Sequence, residues 1–149
     1  MAKEIERKFL VKNTSFVEMA SDVVRIRQAY LSRRPESTVR VRLWGDRAFL
    51  TVKGVTNGVT RDEWEYAIPV ADACDMIARL ADGSVIDKTR YIVGYAGLVW
   101  EIDEFHGAHS GLIVAEVELH SEDQMVELPP FIGAEVTGDP RYYNSNLAK

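Results

Sequence analysis

The chain opens with a segment in which charged and apolar residues alternate, and the same alternation recurs along most of the sequence. In residues 4–11, an extended strand would place Glu4, Glu6 and Lys8 on one face, because successive side chains of a strand point to opposite sides. Residues spaced by two recur as charged pairs in Arg40/Arg42, Glu63/Glu65, Lys88/Arg90, Glu101/Asp103 and Glu116/Glu118, with Lys53 on a strand of its own. The sequence therefore predicts a mainly β structure with one strongly charged face.

The charges are also sorted, since each predicted strand carries mainly one sign. Like charges two residues apart on one face repel, so this arrangement requires a partner strand of the other sign or a bound ligand. Carboxylates bind hard divalent cations, and arginine and lysine bind phosphate oxygens, so the charged face suits a metal–polyphosphate complex. The solvated face of an ordinary antiparallel sheet shows the same alternation. Periodicity alone leaves open whether the charges face bulk water or the inside of a closed barrel.

Composition limits the class of protein. The 149 residues fit one domain, and a hydrophobic fraction of 46% is that of an ordinary globular protein. A net charge of −5 argues against nucleic acid as a partner bound through overall charge. We expect no membrane partner and no signal peptide, because no apolar run approaches 18 residues and no apolar leader is present. The single cysteine, Cys74, excludes an internal disulfide and favours the cytoplasm. A homodimer remains open.

Turn signals divide the chain into eight predicted strands. Asn57-Gly58 is a strong hairpin signal, and short links of this kind join antiparallel neighbours. The predicted strands are 4–11, 24–31, 38–44, 48–54, 60–68, 85–95, 98–105 and 113–120. Helices are predicted at 70–81, with Cys74 on the buried face, at 121–128 with Ser121 as N-cap, and in the tail at 140–148.

Eight strands with two or three short helices predict an α+β fold dominated by an antiparallel sheet. Eight strands can also close into a small barrel, which removes exposed sheet edges. The faces opposite the charges carry large apolar side chains, and the helices and the residues after Pro129 are expected to cover them. Trp44, Trp64 and Trp100 are interpreted as packing residues.

Taken in order, the charged motifs resemble the CYTH superfamily, the triphosphate tunnel metalloenzymes. The opening motif Glu-x-Glu-x-Lys stands at residues 4–8. The further motifs are Gln28 with Tyr30, Arg40-Val41-Arg42, Thr51-Val52-Lys53-Gly54, Glu63-Trp64-Glu65, Lys88-Thr89-Arg90-Tyr91, Glu101-Ile102-Asp103, Glu116-Val117-Glu118 and the closing run at 139–144. The resemblance covers residues 1–149 as a single domain. It implies an eight-stranded antiparallel β-barrel forming a tunnel with a charged interior, with the short helices outside.

The resemblance implies metal-dependent hydrolysis of a tripolyphosphate moiety. Small bacterial members that open in this way are most similar to inorganic triphosphatases, which implies cleavage of tripolyphosphate to pyrophosphate and phosphate by metal-activated water. The alternatives are a thiamine or nucleoside triphosphatase, an adenylyl cyclase and a non-catalytic polyphosphate-binding module. A plain antiparallel β protein with a charged surface is the remaining alternative. The resemblance leaves open whether Mg²⁺ or Mn²⁺ is used.

The sorted charges lead to a hypothesis for the roles of the inward residues. The substrate-binding set is Lys8, Arg40, Arg42, Lys53, Lys88 and Arg90. Two metal ions are expected. The first would be held by Glu4, Glu6 and one of the pair Glu116/Glu118. The second would be held by Asp103, Glu63 and the other member of that pair. Lys8, Glu63, Asp103 and Glu118 are thus the candidate catalytic residues. Glu65 and Glu101 are expected to pair with basic side chains. Tyr142 and Asn144 could lid one mouth of the tunnel, although ordinary helix packing is the preferred interpretation.

Overall fold

The computed structural model of the chain describes residues 2–148, and antiparallel strands dominate this part of the protein. The strands are β1 (Ala2–Val11), β2 (Asp22–Arg34), β3 (Ser37–Trp44), β4 (Arg47–Gly54), β5 (Thr60–Ile68), β6 (Ile86–Tyr95), β7 (Leu98–Phe105), β8 (Ile113–Glu118) and β9 (Ile132–Glu135). The helices are α1 (Phe16–Met19), α2 (Val70–Leu80) and α3 (Asn144–Leu147), with 3₁₀ turns at Gly107–His109 and Pro140–Tyr142. No helix within residues 2–148 has the length and apolar character needed to cross a bilayer.

Strand β1 closes the sheet into a barrel. The strands follow the order β5-β4-β3-β2-β6-β7-β8-β1, and the first residues of β1 also pair with β5, so that Ala2 lies opposite Glu63 and Ile5 opposite Thr60. Farther along the same edge, Phe9 and Val11 pair with β9. The predicted eight-stranded antiparallel barrel is confirmed, and β9 is an additional short strand that the sequence analysis missed.

The apolar faces of the strands pack outside the barrel wall. Trp100 is fully buried with its ring centre 5.5 Å from that of Phe9, and Phe131 covers this cluster together with Phe16. Helix α2 covers a second cluster, on β2, β3 and β4. The prediction that residues after Pro129 cover the sheet is confirmed. Because the apolar side chains occupy the outside, the alternating charged side chains face the interior.

Two local predictions about the helices are wrong. Residues 121–128 form no helix, because polar side chains there satisfy a turn: Ser121 Oγ donates to Asp123, and the His120 amide donates to Gln124 Oε1. Cys74 is exposed, because the face of α2 that packs on the sheet carries Ala73 and Ile77 instead.

The outer face of β5 is also less covered than predicted. Trp64 is 36% exposed and Tyr66 is 60% exposed, because α2 contacts β2, β3 and β4 and stops short of this strand. Trp100 alone of the three tryptophans is fully buried, and Trp44 lies on the interior beside Arg90.

The last described residues fold back onto one end of the barrel, and we call residues 137–148 the C-terminal cap. Leu147 and Ala148 are buried in a cluster with Tyr30, Ile86 and Phe105. The carbonyl of Ala148 accepts a hydrogen bond from the Ser84 amide. The carbonyl of Leu147 contacts His109 Nε2 at 2.6 Å. These contacts fix the cap against the ends of β2, β6 and β7.

The docking of the cap depends on Gly83. This residue has a φ of +99°, and a Cβ at this position would collide with the carbonyl oxygen of Ala148. The strain of roughly 1–3 kcal/mol in Gly83→Ala should undock the cap. We therefore expect trypsin to cleave after the exposed Arg141 about tenfold faster, or more, in this variant than in the wild type. Mass spectrometry of the released fragment would measure the rate.

Gly97→Ala is the matched control, because Gly97 also has a positive φ, of +80°, but no atom lies within 4 Å of the added Cβ. It should lower global stability by about 1–2 kcal/mol from backbone strain alone and leave cleavage after Arg141 unchanged. Equal cleavage rates in the two variants would contradict the proposed contact.

Candidate active site in the charged tunnel

A continuous tunnel runs through the barrel. It consists of two adjoining cavities, which share a central set of lining residues. The shared residues are Glu4, Glu6, Arg40, Arg42, Lys53, Arg90 and Glu116. The first cavity reaches the C-terminal cap at Tyr143 and Asn144, and we call it the cap end. The second opens among Glu63, Glu65, Glu101 and Glu118, and we call it the acidic end.

The arginines of β3 form a cationic row in the tunnel. Arg42 is buried, and its Nε donates to Gln28 Oε1 at 2.7 Å. Burial and the nearby charges of Arg40 and Arg90 lower the pKa of Arg42 to about 9. Arg40 is equally buried, and its Nε has no acceptor within residues 2–148. A bound anion would accept a hydrogen bond from this buried donor and would also reduce the repulsion between the neighbouring cations.

A buried ion-pair network fixes the opposite wall. Asp103 accepts from Arg90 Nε at 2.7 Å and from Arg90 Nη2 at 2.8 Å, in a two-pronged pair, and from Lys88 Nζ at 2.7 Å. These cations hold the pKa of Asp103 far below its usual range despite burial. Burial, which Asp103 only partly offsets, lowers the pKa of Lys88 to about 7. Asp103 therefore has both carboxylate oxygens occupied by cationic side chains.

Carboxylates crowd the centre of the tunnel and its acidic end. Glu4 pairs with Lys53 at 2.7 Å, and Glu116 lies 3.4 Å from Lys8. Glu6 stands opposite Glu118 in the register of β1 and β8 and makes no hydrogen bond or ion pair within the described part of the chain. Burial and the charges of Glu116 and Glu4 raise the pKa of Glu6 well above its ordinary value. A cation bound near Glu6 would therefore stabilise its ionised carboxylate.

The residues fit a divalent cation by chemistry and placement. Within residues 2–148 no three carboxylate, imidazole or thiol groups already converge into a formed metal site. The carboxylates of Glu6 and Glu118 nevertheless start from Cβ atoms only about 5 Å apart across the strand pair, and Glu4 follows on the same face. An all-oxygen donor set of this kind suits Mg²⁺ or Mn²⁺. A cation there would also relieve the repulsion that raises the pKa of Glu6.

The structure brings most of the predicted site residues together. Those that line the tunnel are Glu4, Glu6, Lys8, Arg40, Arg42, Lys53, Glu63, Arg90, Glu116 and Glu118. Lys88 and Asp103 do not line it and are buried within the wall. Glu65 lies 3.6 Å from Arg40, and Glu101 lies 3.0 Å from Arg90, so both pair with basic side chains as expected.

The sequence analysis assigned no role to three polar contributors to the tunnel, although Thr51 and Tyr143 lie within the motifs that it named. Arg61 lines the cap end, and its inward orientation follows from the alternation that Glu63 and Glu65 continue. Thr51 links Arg40 to Glu65 through hydrogen bonds of 3.2 and 2.7 Å. Tyr143 contributes its ring near Lys8, but it lies in an irregular segment where no periodic pattern could have indicated it.

Comparisons with known proteins agree on one family. The family model described as the CYTH domain matches residues 2–143. A protein of Acetivibrio thermocellus named inorganic triphosphatase is 46% identical over 149 residues, covering 100% of this chain and 95% of the relative. A protein of Nitrosomonas europaea with the same name is 40% identical, covering 97% and 96%. A crystal structure of an inorganic triphosphatase superposes with a TM-score of 0.68 at 37% identity, covering 99% and 95%.

The crowded carboxylates predict that Glu6 lowers the stability of the cation-free protein. A pKa raised in the folded state means that stability falls as pH rises above 4.5, since the folded protein then binds more protons than the unfolded chain. In EDTA at pH 8, we expect Glu6→Gln to be more stable by roughly 1–2 kcal/mol in urea denaturation, with a smaller gap at pH 5.

In the same experiment, Mg²⁺ should raise the melting temperature of the wild type and leave that of Glu6→Gln nearly unchanged. Glu36→Gln is the control, because Glu36 is exposed outside the tunnel and should match the wild type in both measurements. A Glu6→Gln variant less stable than the wild type at pH 8 would refute the repulsion.

The ion-pair network predicts a large cost for neutralising Asp103. Asp103→Asn would leave Lys88 and Arg90 buried without their carboxylate, which typically costs about 3–5 kcal/mol. Urea denaturation at pH 7 followed by circular dichroism would measure this loss. Glu104→Gln, at the next position and on the outer face, should change stability by less than about 0.5 kcal/mol. Similar values for the two variants would argue against the network.

Proposed function

The chain belongs to the CYTH domain family, and on this premise we propose that it hydrolyses inorganic tripolyphosphate to pyrophosphate and phosphate. The observation that carries the proposal is a tunnel with unsatisfied groups of both signs. The Nε of buried Arg40 has no acceptor, and half-buried Glu6 makes no hydrogen bond or ion pair within residues 2–148. A polyphosphate together with a divalent cation would satisfy both.

The basic side chains of the tunnel would bind the substrate. Arg40 and Arg42 lie about 7 Å apart along β3, so they would contact different phosphate groups of a linear tripolyphosphate. Lys8 and Arg90 line the same space and would neutralise the charge that develops on the phosphoryl oxygens in the transition state. Because the wall already holds these groups in place, little reorganisation would be needed during the reaction.

The carboxylates of β1 and β8 would hold the metal. We assign Glu4, Glu6 and Glu118 to one divalent ion, and Glu63 and Glu116 lie beside them for a second. A bound Mg²⁺ or Mn²⁺ would screen the phosphate charges and lower the pKa of a water molecule.

The substrate-free tunnel keeps several of these charges in internal pairs. Lys53 contacts Glu4 at 2.7 Å and Glu63 at 3.4 Å, and Lys8 contacts Glu116. Binding of metal and polyphosphate together would give the carboxylates a cation and release the ammonium groups to the phosphate oxygens. The internal pairs would therefore keep the empty tunnel from carrying bare charge, at a modest cost when they separate.

The geometry favours a supporting role for Asp103 over the metal-ligand role that the sequence suggested. Its oxygens are taken by Arg90 and Lys88, and it lies behind the tunnel surface. Asp103 would then hold the Arg90 guanidinium in position for the substrate. A cytoplasmic location, which rests on the single cysteine, and a homodimer both stay predictions.

Phosphate release from tripolyphosphate, ATP and thiamine triphosphate, each with Mg²⁺, Mn²⁺ or EDTA, would test the proposal. We expect release from tripolyphosphate that EDTA abolishes, with the organic substrates far slower. Glu4→Gln should reduce kcat at least about 100-fold, because it removes a metal ligand. Lys8→Ala should lower kcat more than it raises KM if Lys8 acts on the transition state.

Lys3→Ala is the control for Lys8→Ala, since Lys3 lies on the same strand with its side chain 54% exposed and paired with Asp62 outside the tunnel. It should retain wild-type rates. A wild-type protein that binds tripolyphosphate but releases no phosphate with either metal would refute hydrolysis and favour a binding module.

A further inference from the structure

Asn144 brings the C-terminal cap into the tunnel. It is the first residue of α3, and it lines the cap end together with Lys8, Arg40 and Arg42. A second contact ties the cap to the same region, because Lys8 Nζ donates to the carbonyl of Tyr142 at 3.0 Å. The cap is therefore in direct contact with residues proposed to bind phosphate.

Two buried donors fix the orientation of the Asn144 carboxamide. Its Oδ1 accepts from Lys88 Nζ at 3.0 Å and from Gln28 Nε2 at 3.3 Å, and both donor residues are fully buried in the wall. An ammonium group can only donate, so the atom that faces Lys88 must be the oxygen. Gln28 is oriented in the same way, because its Oε1 accepts from Arg42 Nε at 2.7 Å.

The amide nitrogen of Asn144 is left available by this arrangement. With Oδ1 turned toward the wall, Nδ2 occupies the other branch of the carboxamide, and it has no hydrogen-bond acceptor among the side chains and backbone of residues 2–148. Asn144 lines the same cavity as the arginines of β3, whereas the two residues bonded to its Oδ1 do not line it. A neutral two-proton donor beside a cationic row suits the oxygens of a terminal phosphate group.

We infer that Asn144 is a substrate-binding residue: its Nδ2 donates to the phosphate group of tripolyphosphate that lies nearest the cap end. The inference rests on the proposed function and deepens it, since it makes the cap part of the binding site. The site is then complete only when the cap is docked, and substrate binding and cap docking stabilise each other by the same free energy.

The test compares three variants in binding to diimidotriphosphate, whose P–N–P bridges resist hydrolysis, in the presence of Mg²⁺. Asn144→Asp keeps an oxygen for Lys88 and Gln28 but lacks the donor, and Asn144→Ala lacks both. Asn57→Asp is the control, because it introduces the same charge at an exposed position outside the cap. Isothermal titration calorimetry would give the dissociation constants.

We expect both Asn144 variants to bind the analogue about tenfold or more weakly than the wild type, and Asn57→Asp to bind within about threefold of it. Wild-type affinity in Asn144→Ala would overturn the inference while leaving the proposed function intact. No binding by the wild type itself would overturn the proposed function, and with it this assignment.

Limited proteolysis supplies a readout that does not depend on affinity alone. Trypsin cleavage after the exposed Arg141 should be slowed several-fold by the analogue in the wild type and in Asn57→Asp, because bound substrate stabilises the docked cap. In Asn144→Ala, an analogue concentration that saturates the variant should give little or no protection. Equal protection of all the proteins at saturation would overturn the coupling between substrate and cap.

Discussion

Charge compensation inside the barrel is the constraint on which the rest of this structure depends. An isolated charge buried in a protein costs several kcal/mol, so each inward side chain must find a partner of the opposite sign. Asp103 meets this need for Arg90 and Lys88, and Glu4 does so for Lys53. Glu6 is left without an ion pair within residues 2–148 and Arg40 Nε without an acceptor, and a divalent cation bound together with a polyanion would satisfy both.

The sequence was sufficient to predict the strands and the set of inward side chains, because a period of two is a direct consequence of strand geometry. It did not determine which way the charged face points, since the same period describes the wet side of an open sheet. The resemblance to a known family supplied that answer, and the pairing of β1 with β5 confirms it. Of the predicted site residues, Asp103 and Lys88 lie away from the tunnel, because their ion pair holds both in the wall.

The errors fall where local sequence gives little information. Strand β9 has four residues and depends on β1 for its pairing, and residues 121–128 carry helix-start signals that side-chain hydrogen bonds divert into a turn. The orientation of α2 was misjudged because small residues surround Cys74 on several faces. Asn144 has no periodic neighbour to mark it, and its contacts with Gln28 and Lys88 arise only from the fold of the tail.

Because β1 pairs with other strands along both of its edges, its position in the sequence affects how the chain folds. Strand β1 pairs with β5, β8 and β9, which all follow it in the sequence, so residues 2–11 must wait for partners that lie up to 126 positions downstream, as with Phe9 and Glu135. Hairpins such as β3–β4 can form early during synthesis, but closure cannot precede the emergence of β8. A topology with so many sequence-distant pairings favours slow, late and cooperative folding, with the β1 edge exposed to other chains until closure.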